Sequence, residues 1–124
     1  MIYAHMSKNK VIIMKVCFTA KGTTLDSPME ERFGRAPYFI IVESGNGSFE
    51  AIKNPYADGG GGIGPKAAQV LIANSVKTLV SGQVGGNAQE VLAAAGIAIY
   101  TYRSGGTVQD ALDQFTKNTP ARSG

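Results

Sequence analysis

"KTLVSGQVGGNAQEVLAAAGIAIYTY" (Lys77–Tyr102) decides the fold. It opens with a short strand (Lys77–Gly82), passes a glycine-rich turn, and enters a helix (Asn87–Gly96). Asn87 reads as the helix cap and Gly96 as its stop. A β-rich run, Ile97–Tyr102, follows as a second strand. Two parallel strands need a crossover of this kind. Upstream, "PKAAQVLIANS" (Pro65–Ser75) reads as another helix, with Pro at its first position. Downstream, "TVQDALDQF" (Thr107–Phe115) is a final helix opened by a Thr-x-x-Asp element that resembles a capping box.

The first half of the chain has a different character. "VIIMKVCFTA" (Val11–Ala20) is almost continuously apolar, which suits a central strand covered on both faces. "YFIIVES" (Tyr38–Ser44), the hairpin signal "GNG" (Gly45–Gly47) and the half-polar "SFEAIKN" (Ser48–Asn54) give two more strands. The order is βββαβαβα. Right-handed crossovers and neighbour pairing predict a mixed five-stranded sheet in the order 3-2-1-4-5. Strand 2 runs against the other four, and helices cover both faces. This is an α/β, ribonuclease-H-like three-layer domain.

At 124 residues the chain has the length of one domain. The domain is expected over residues 14–117, after an extension (1–13) that holds the start of the first strand and before a flexible tail (118–124). No apolar run is long enough to span a membrane, and "MIYAHMSKNKVIIMK" does not read as a signal peptide. One cysteine rules out an internal disulfide and fits a reducing cytoplasm. The net charge is +3, but Lys8, Lys10 and Arg122 lie in the extension and tail, and without them nine positive charges face nine negative. No basic stripe remains to follow a phosphate backbone, so neither nucleic acid nor membrane is an expected partner.

In an open α/β sheet, ligands sit beyond the carboxyl ends of the parallel strands. The loops leaving strands 1, 3, 4 and 5 (21–37, 55–64, 82–86 and 103–106) contain 12 of the 16 glycines. Gly59, Gly60, Gly61, Gly62 and Gly64 lie in one loop, Gly82, Gly85 and Gly86 in another, and Gly105 and Gly106 in a third. Three of these loops lead into helix starts, at Gly64-Pro65, Gly86-Asn87 and Gly106-Thr107. Helix starts present N–H groups and partial positive charge, which suit an anion. Each glycine alone reads as well as a turn requirement. Taken together they read as a backbone site for a modest anion, helped by Arg32 and Arg35.

Three stretches then carry a resemblance: "ERFGRAPYF" (Glu31–Phe39), "GIGPKAAQVL" (Gly62–Leu71) and "VSGQVGGNAQEVLAAAGIAIY" (Val80–Tyr100). In this order and spacing they resemble the dinitrogenase iron–molybdenum cofactor biosynthesis family, over about residues 14–117. The family includes carriers of nitrogenase cofactor precursors and proteins that hold a molybdenum–copper sulfide cluster; the latter are closest in kind. The resemblance implies a noncovalent molybdenum-containing sulfide cluster, of Mo–Cu–S or Fe–Mo–S type, and partners among cofactor-assembly or redox proteins. It carries Gly34, Arg35, Gly62, Gly64, Gly82, Gly85, Gly86 and Asn87 forward as cluster-binding candidates. Many members look like His-Phe-Gly-Arg at the first element, where this chain has Arg32, and often have a histidine in the glycine-rich loop, where Asp58–Gly64 has none. No histidine metal ligand is therefore carried over. An anionic thiometallate brings its own sulfide ligands and needs none.

Among single residues, Cys17 is a weak metal candidate because it falls inside the first strand, where a free cysteine is usually a core residue. His5 has no expected role. Arg35 is either an anion donor or the ion-pair partner of Glu30 or Glu31. Phe33 is expected to plug its loop into the core. The leading functional expectation is a non-catalytic cluster carrier. Nuclease chemistry needs several carboxylates around two metals, and "MKVCFTA" has none. A phosphate- or nucleotide-binding or protein-interaction module is the alternative, although the Lys-Ser/Thr of a P-loop is missing.

Overall fold

The computed structural model describes residues 14–118. The expectations for residues 1–13, His5 among them, and for 119–124 lie outside the described residues. The elements are β1 (Lys15–Ala20), β2 (Tyr38–Glu43), β3 (Phe49–Lys53), α1 (Ile63–Ala73), β4 (Val76–Ser81), α2 (Gly86–Ala94), β5 (Ala98–Thr101) and α3 (Val108–Asn118). The sheet order is β3-β2-β1-β4-β5. β1 pairs antiparallel with β2, and β2 antiparallel with β3. β4 is parallel to both β1 and β5. Four strands therefore point one way, as the sequence predicts.

Side-chain alternation along the strands builds two cores. One face of the sheet turns Cys17, Phe39, Ile41 and Leu79 towards Ala67, Ala68 and Leu71 of α1 and Ala88 and Leu92 of α2. The other turns Val16, Phe18, Ile40, Val42 and Val80 towards Val108 and Ala111 of α3. β1 is buried on both faces because it lies between β2 and β4 under helices on each side. Its continuous apolar run follows from that position.

Most element ends shift by one to three residues from the sequence reading, and four of the shifts have a visible physical reason. Met14 is not in β1 and is 40% exposed. Its carbonyl accepts from Ser44 N at 2.9 Å, where β2 has already turned into the hairpin and the ladder has run out. Asn87 is not the cap of α2. Gly85 is the cap, and its carbonyl takes the first helical bond from Gln89 N at 2.9 Å. α1 starts at Ile63, which puts Pro65 in the third position. The missing N–H costs nothing there, because the first four amides of a helix have no helical acceptor. The same helix stops at Ala73 because Ser75 adopts a left-handed φ of 62°.

A side chain in that region costs about 1–2 kcal/mol, and glycine avoids the penalty. Ser75→Gly is therefore expected to stabilise the fold by about 0.5–1 kcal/mol after glycine's own entropic cost. The measurement is the urea midpoint at unchanged slope.

Candidate functional site

The site is built on two hydroxyls. Thr19 is the penultimate residue of β1 and Ser81 the last of β4, and both are completely buried. Thr19 Oγ1 donates to the Glu30 carbonyl at 2.6 Å and lies 3.1 Å from Ser81 Oγ, which reaches the Glu31 carbonyl at 3.4 Å. Backbone bonds continue the attachment. Gly82 N and Gln83 N donate to the Glu31 carbonyl at 3.1 and 2.6 Å, and Phe33 N donates to the Gln83 carbonyl at 2.9 Å. Residues 30–36 thus lie across the carboxyl ends of β1 and β4. Phe33 anchors them, buried and stacked on Phe39 with ring centroids 5.5 Å apart. Gly82 is glycine for a steric reason: a Cβ there would stand 2.9 Å from the Glu31 carbonyl oxygen.

The two arginines of this segment diverge. Arg32 pairs with Glu30, with Nε at 3.2 Å and the backbone N at 2.9 Å from the same carboxylate oxygen. Burial pushes the Glu30 carboxyl up, but the two Arg32 bonds and the charges of Arg32 and Lys21 outweigh it and hold the group below its usual range. Arg35 pairs with neither Glu30 nor Glu31. Its Nη1 donates to the carbonyls of Ala57 and Gly59 at 3.1 and 2.9 Å, so it ties the crossing segment to the glycine-rich loop. Asn54, buried at the end of β3, supports the same junction by donating to the Gly34 and Ala36 carbonyls at 3.1 and 2.9 Å.

Between the crossing segment, the glycine-rich loop and the start of α2 lies a groove of about 430 Å³. It gathers Arg32, Gly34, Arg35, Gly60, Gly61, Gly62, Gly64, Gly85, Gly86 and Asn87. Gly59 presents its carbonyl to Arg35 instead. Gly82 packs beneath Glu31, and Gly105 lines a neighbouring cavity. Gly106 and Thr107 belong to the start of α3, where Thr107 and Asp110 cap each other reciprocally at 3.0 and 3.1 Å. Cys17 lies in the core, where burial pushes its thiol far up. Gln83, Ile63, Pro65 and Ala88 also line the groove and were missed. Gln83 sits between Gly82 and Gly85 in an already suspect loop, but a search for glycines alone passes over it.

The three helix starts at this end are not equivalent. The caps of α1 and α2, Gly62 and Gly85, supply no side-chain hydrogen bond, and neither first turn holds an acid. α3 has both a cap and Asp110. The two uncapped first turns are the two that line the groove. Glycine use follows the same division. At Gly60, Gly61, Gly85 and Gly86 a Cβ would meet nothing within 4 Å, and none of the four has a left-handed φ. The fold does not require glycine at these positions. Among the described residues, no group of three or more His, Cys, Asp or Glu comes together to hold a metal ion.

Two expectations follow for stability. Gly82→Ala should cost about 1–3 kcal/mol through overpacking, whereas Gly60→Ala and Gly86→Ala should stay within about 0.5 kcal/mol of the parent; chemical denaturation compares them. The lowered Glu30 pKa contributes stability that is fully present above its ordinary value of 4.5 and is lost as the pH falls through the lower folded value. Glu30→Gln should flatten the fall in melting temperature below about pH 4.5 that the parent shows.

No helix among the described residues is long and apolar enough to cross a membrane. No curated protein matches the sequence. Solved structures do. A Thermotoga protein assigned as a NifB protein of the DUF35 family is 39% identical, covers 90% of this chain and 99% of its own, and superposes with a TM-score of 0.75. The apo form of the orange protein from Desulfovibrio gigas is 32% identical, with coverages of 93% and 98% and a TM-score of 0.81. A Methanocaldococcus jannaschii protein assigned as a dinitrogenase shares the fold at 16% identity, with coverages of 86% and 91% and a TM-score of 0.62. Residues 14–118 match the family described as dinitrogenase iron–molybdenum cofactor. The chain belongs to the dinitrogenase iron–molybdenum cofactor family.

Proposed function

We propose that this protein is a non-catalytic, cytoplasmic carrier of a molybdenum-containing metal–sulfur cluster, a thiomolybdate with or without copper, held noncovalently in the groove. One observation carries the reading: two uncapped helix starts face a groove bordered by four glycines that the fold does not need. Helix starts attract anions, and bare backbone allows a bulky ion to approach them closely. Family membership supports cofactor handling over other uses of such a groove.

The energetics are sufficient without a metal–protein bond. Hydrogen bonds to a charged group contribute about 1.5–3 kcal/mol each, so a handful of them reaches the roughly 8 kcal/mol of micromolar binding. Arg32 and Arg35 stand at the rim as further donors. The groove also has apolar walls from Phe33, Ile63, Pro65 and Ala88. Such walls suit polarizable sulfide better than strongly hydrated phosphate, which weighs against a nucleotide site. A weak, exchangeable hold suits delivery to cofactor-assembly or redox proteins.

The test uses the purified chain mixed with tetrathiomolybdate, with and without Cu(I), and then desalted. Retained visible absorbance with molybdenum in the protein fraction is expected. Gly86→Val and Gly60→Val should each lower retention at least roughly tenfold, the loss of one or two charge-assisted contacts, while leaving the melting temperature unchanged. A colourless, molybdenum-free protein after desalting would overturn the reading.

A further inference from the structure

A second cavity, of about 370 Å³, lies on the other side of the crossing segment. Arg32 and Gln83, joined by an isolated parallel bridge, form the wall between it and the groove. The geometry points to a second, separate anion site in this cavity, taking a compact tetrahedral oxyanion of the phosphate, sulfate or molybdate class.

Two loops send three cations to it: Lys21 and Arg32 stand at different points of the loop after β1, and Arg103 follows β5. Arg32 is engaged by Glu30. Among the described residues Arg103 engages only through its Nε, which donates to the Gly82 carbonyl at 3.2 Å and leaves both terminal nitrogens of its fork for a ligand. Among the described residues, no carboxylate lies within ion-pair distance of Lys21 or Arg103. Glu30 and Glu31 are the acids in the lining, so three cations face two carboxylates. Tyr102 donates its hydroxyl to the Gly105 carbonyl at 2.6 Å, which turns its ring into a fixed wall beside Met29.

The ligand class follows from the contrast with the groove. The groove offers backbone amides and apolar walls over a wide opening, terms that suit a large, diffuse anion. This cavity offers an ammonium and a guanidinium fork, which make short, strong bonds to hard oxygen atoms of high charge density. The proposal does not depend on the cluster reading, because neither Lys21 nor Arg103 lines the groove.

The experiment titrates phosphate, sulfate and molybdate separately into the ¹⁵N-labelled full chain at constant ionic strength, followed by amide shifts. Constant ionic strength removes general screening. Saturable shifts at Lys21, Glu30, Arg103 and Gly105, with Gly60, Gly61, Gly85 and Gly86 unmoved, are expected. Lys21→Ala, at a side chain that makes no hydrogen bond among the described residues, and Arg103→Ala should each weaken binding roughly tenfold or more, the size of one charge-assisted contact, with thiomolybdate retention unchanged. Shifts confined to the glycine groove, unaltered affinity in both variants, or no saturable shift at millimolar oxyanion would each overturn the proposal.

Discussion

The site depends on two buried hydroxyls that the sheet alone cannot satisfy. Thr19 and Ser81 lie at the carboxyl ends of adjacent parallel strands, fully buried. A buried hydroxyl without a partner costs about 1–3 kcal/mol, and the partners here are the carbonyls of Glu30 and Glu31. Placing those carbonyls draws residues 30–36 across the strand ends. The close approach leaves no room for a Cβ at Gly82. With Phe33 buried on one side of this crossing, Arg32 and Arg35 emerge three residues apart towards different neighbours, one to Glu30 and one to the Ala57 and Gly59 carbonyls. One strip of chain therefore divides the carboxyl end of the sheet into two cavities of different chemistry.

The glycines at this end have two physical origins that composition cannot separate. Gly62, Gly105 and Gly106 have φ near +80°, which L side chains avoid. Gly34 and Gly64 bring the crossing segment, α1 and α2 close together: a Cβ at Gly34 would meet Ile63 at 3.2 Å, and one at Gly64 would meet Ala88 at 3.2 Å. Gly60, Gly61, Gly85 and Gly86 meet neither condition. Only this last class is left without a reason in the fold, and it borders the two helix starts that lack side-chain caps.

The fold was legible because its determinants are patterns along the chain. The part of the first apolar run that forms β1, Lys15–Ala20, read as a covered strand, and two strand–helix units with right-handed crossovers leave one economical sheet order. The site was legible in location, since topology sends four loops to one end. Its details depend on three-dimensional backbone paths. Ser75 takes a conformation usually given to glycine, so it did not read as a helix stop. Asn54 looked like the end of an edge strand until its amide was seen to bridge the Gly34 and Ala36 carbonyls. Arg32 and Arg35 have the same residue type and similar surroundings in sequence. Only the path of residues 30–36 decides which of them meets the acid.

Cys17 shows how burial shapes the chemistry this end can offer. Its thiol is held far above the ordinary range with no cation beside it, so it stays protonated and inside the core. Among the described residues, the groove lining contains no cysteine, histidine, aspartate or glutamate. What it presents is backbone N–H, arginine and apolar surface. Such groups suit an object whose own coordination shell is already complete and whose charge is negative. Were the proposed cluster bound there, they would not compete for its metal, and its release would require only hydrogen bonds to break, with no metal–ligand exchange. The strength of such a hold would be set by how closely the backbone approaches the cluster. A Cβ at Gly60, Gly61, Gly85 or Gly86 meets no protein atom within 4 Å, so a small side chain there would lengthen that approach without crowding the fold.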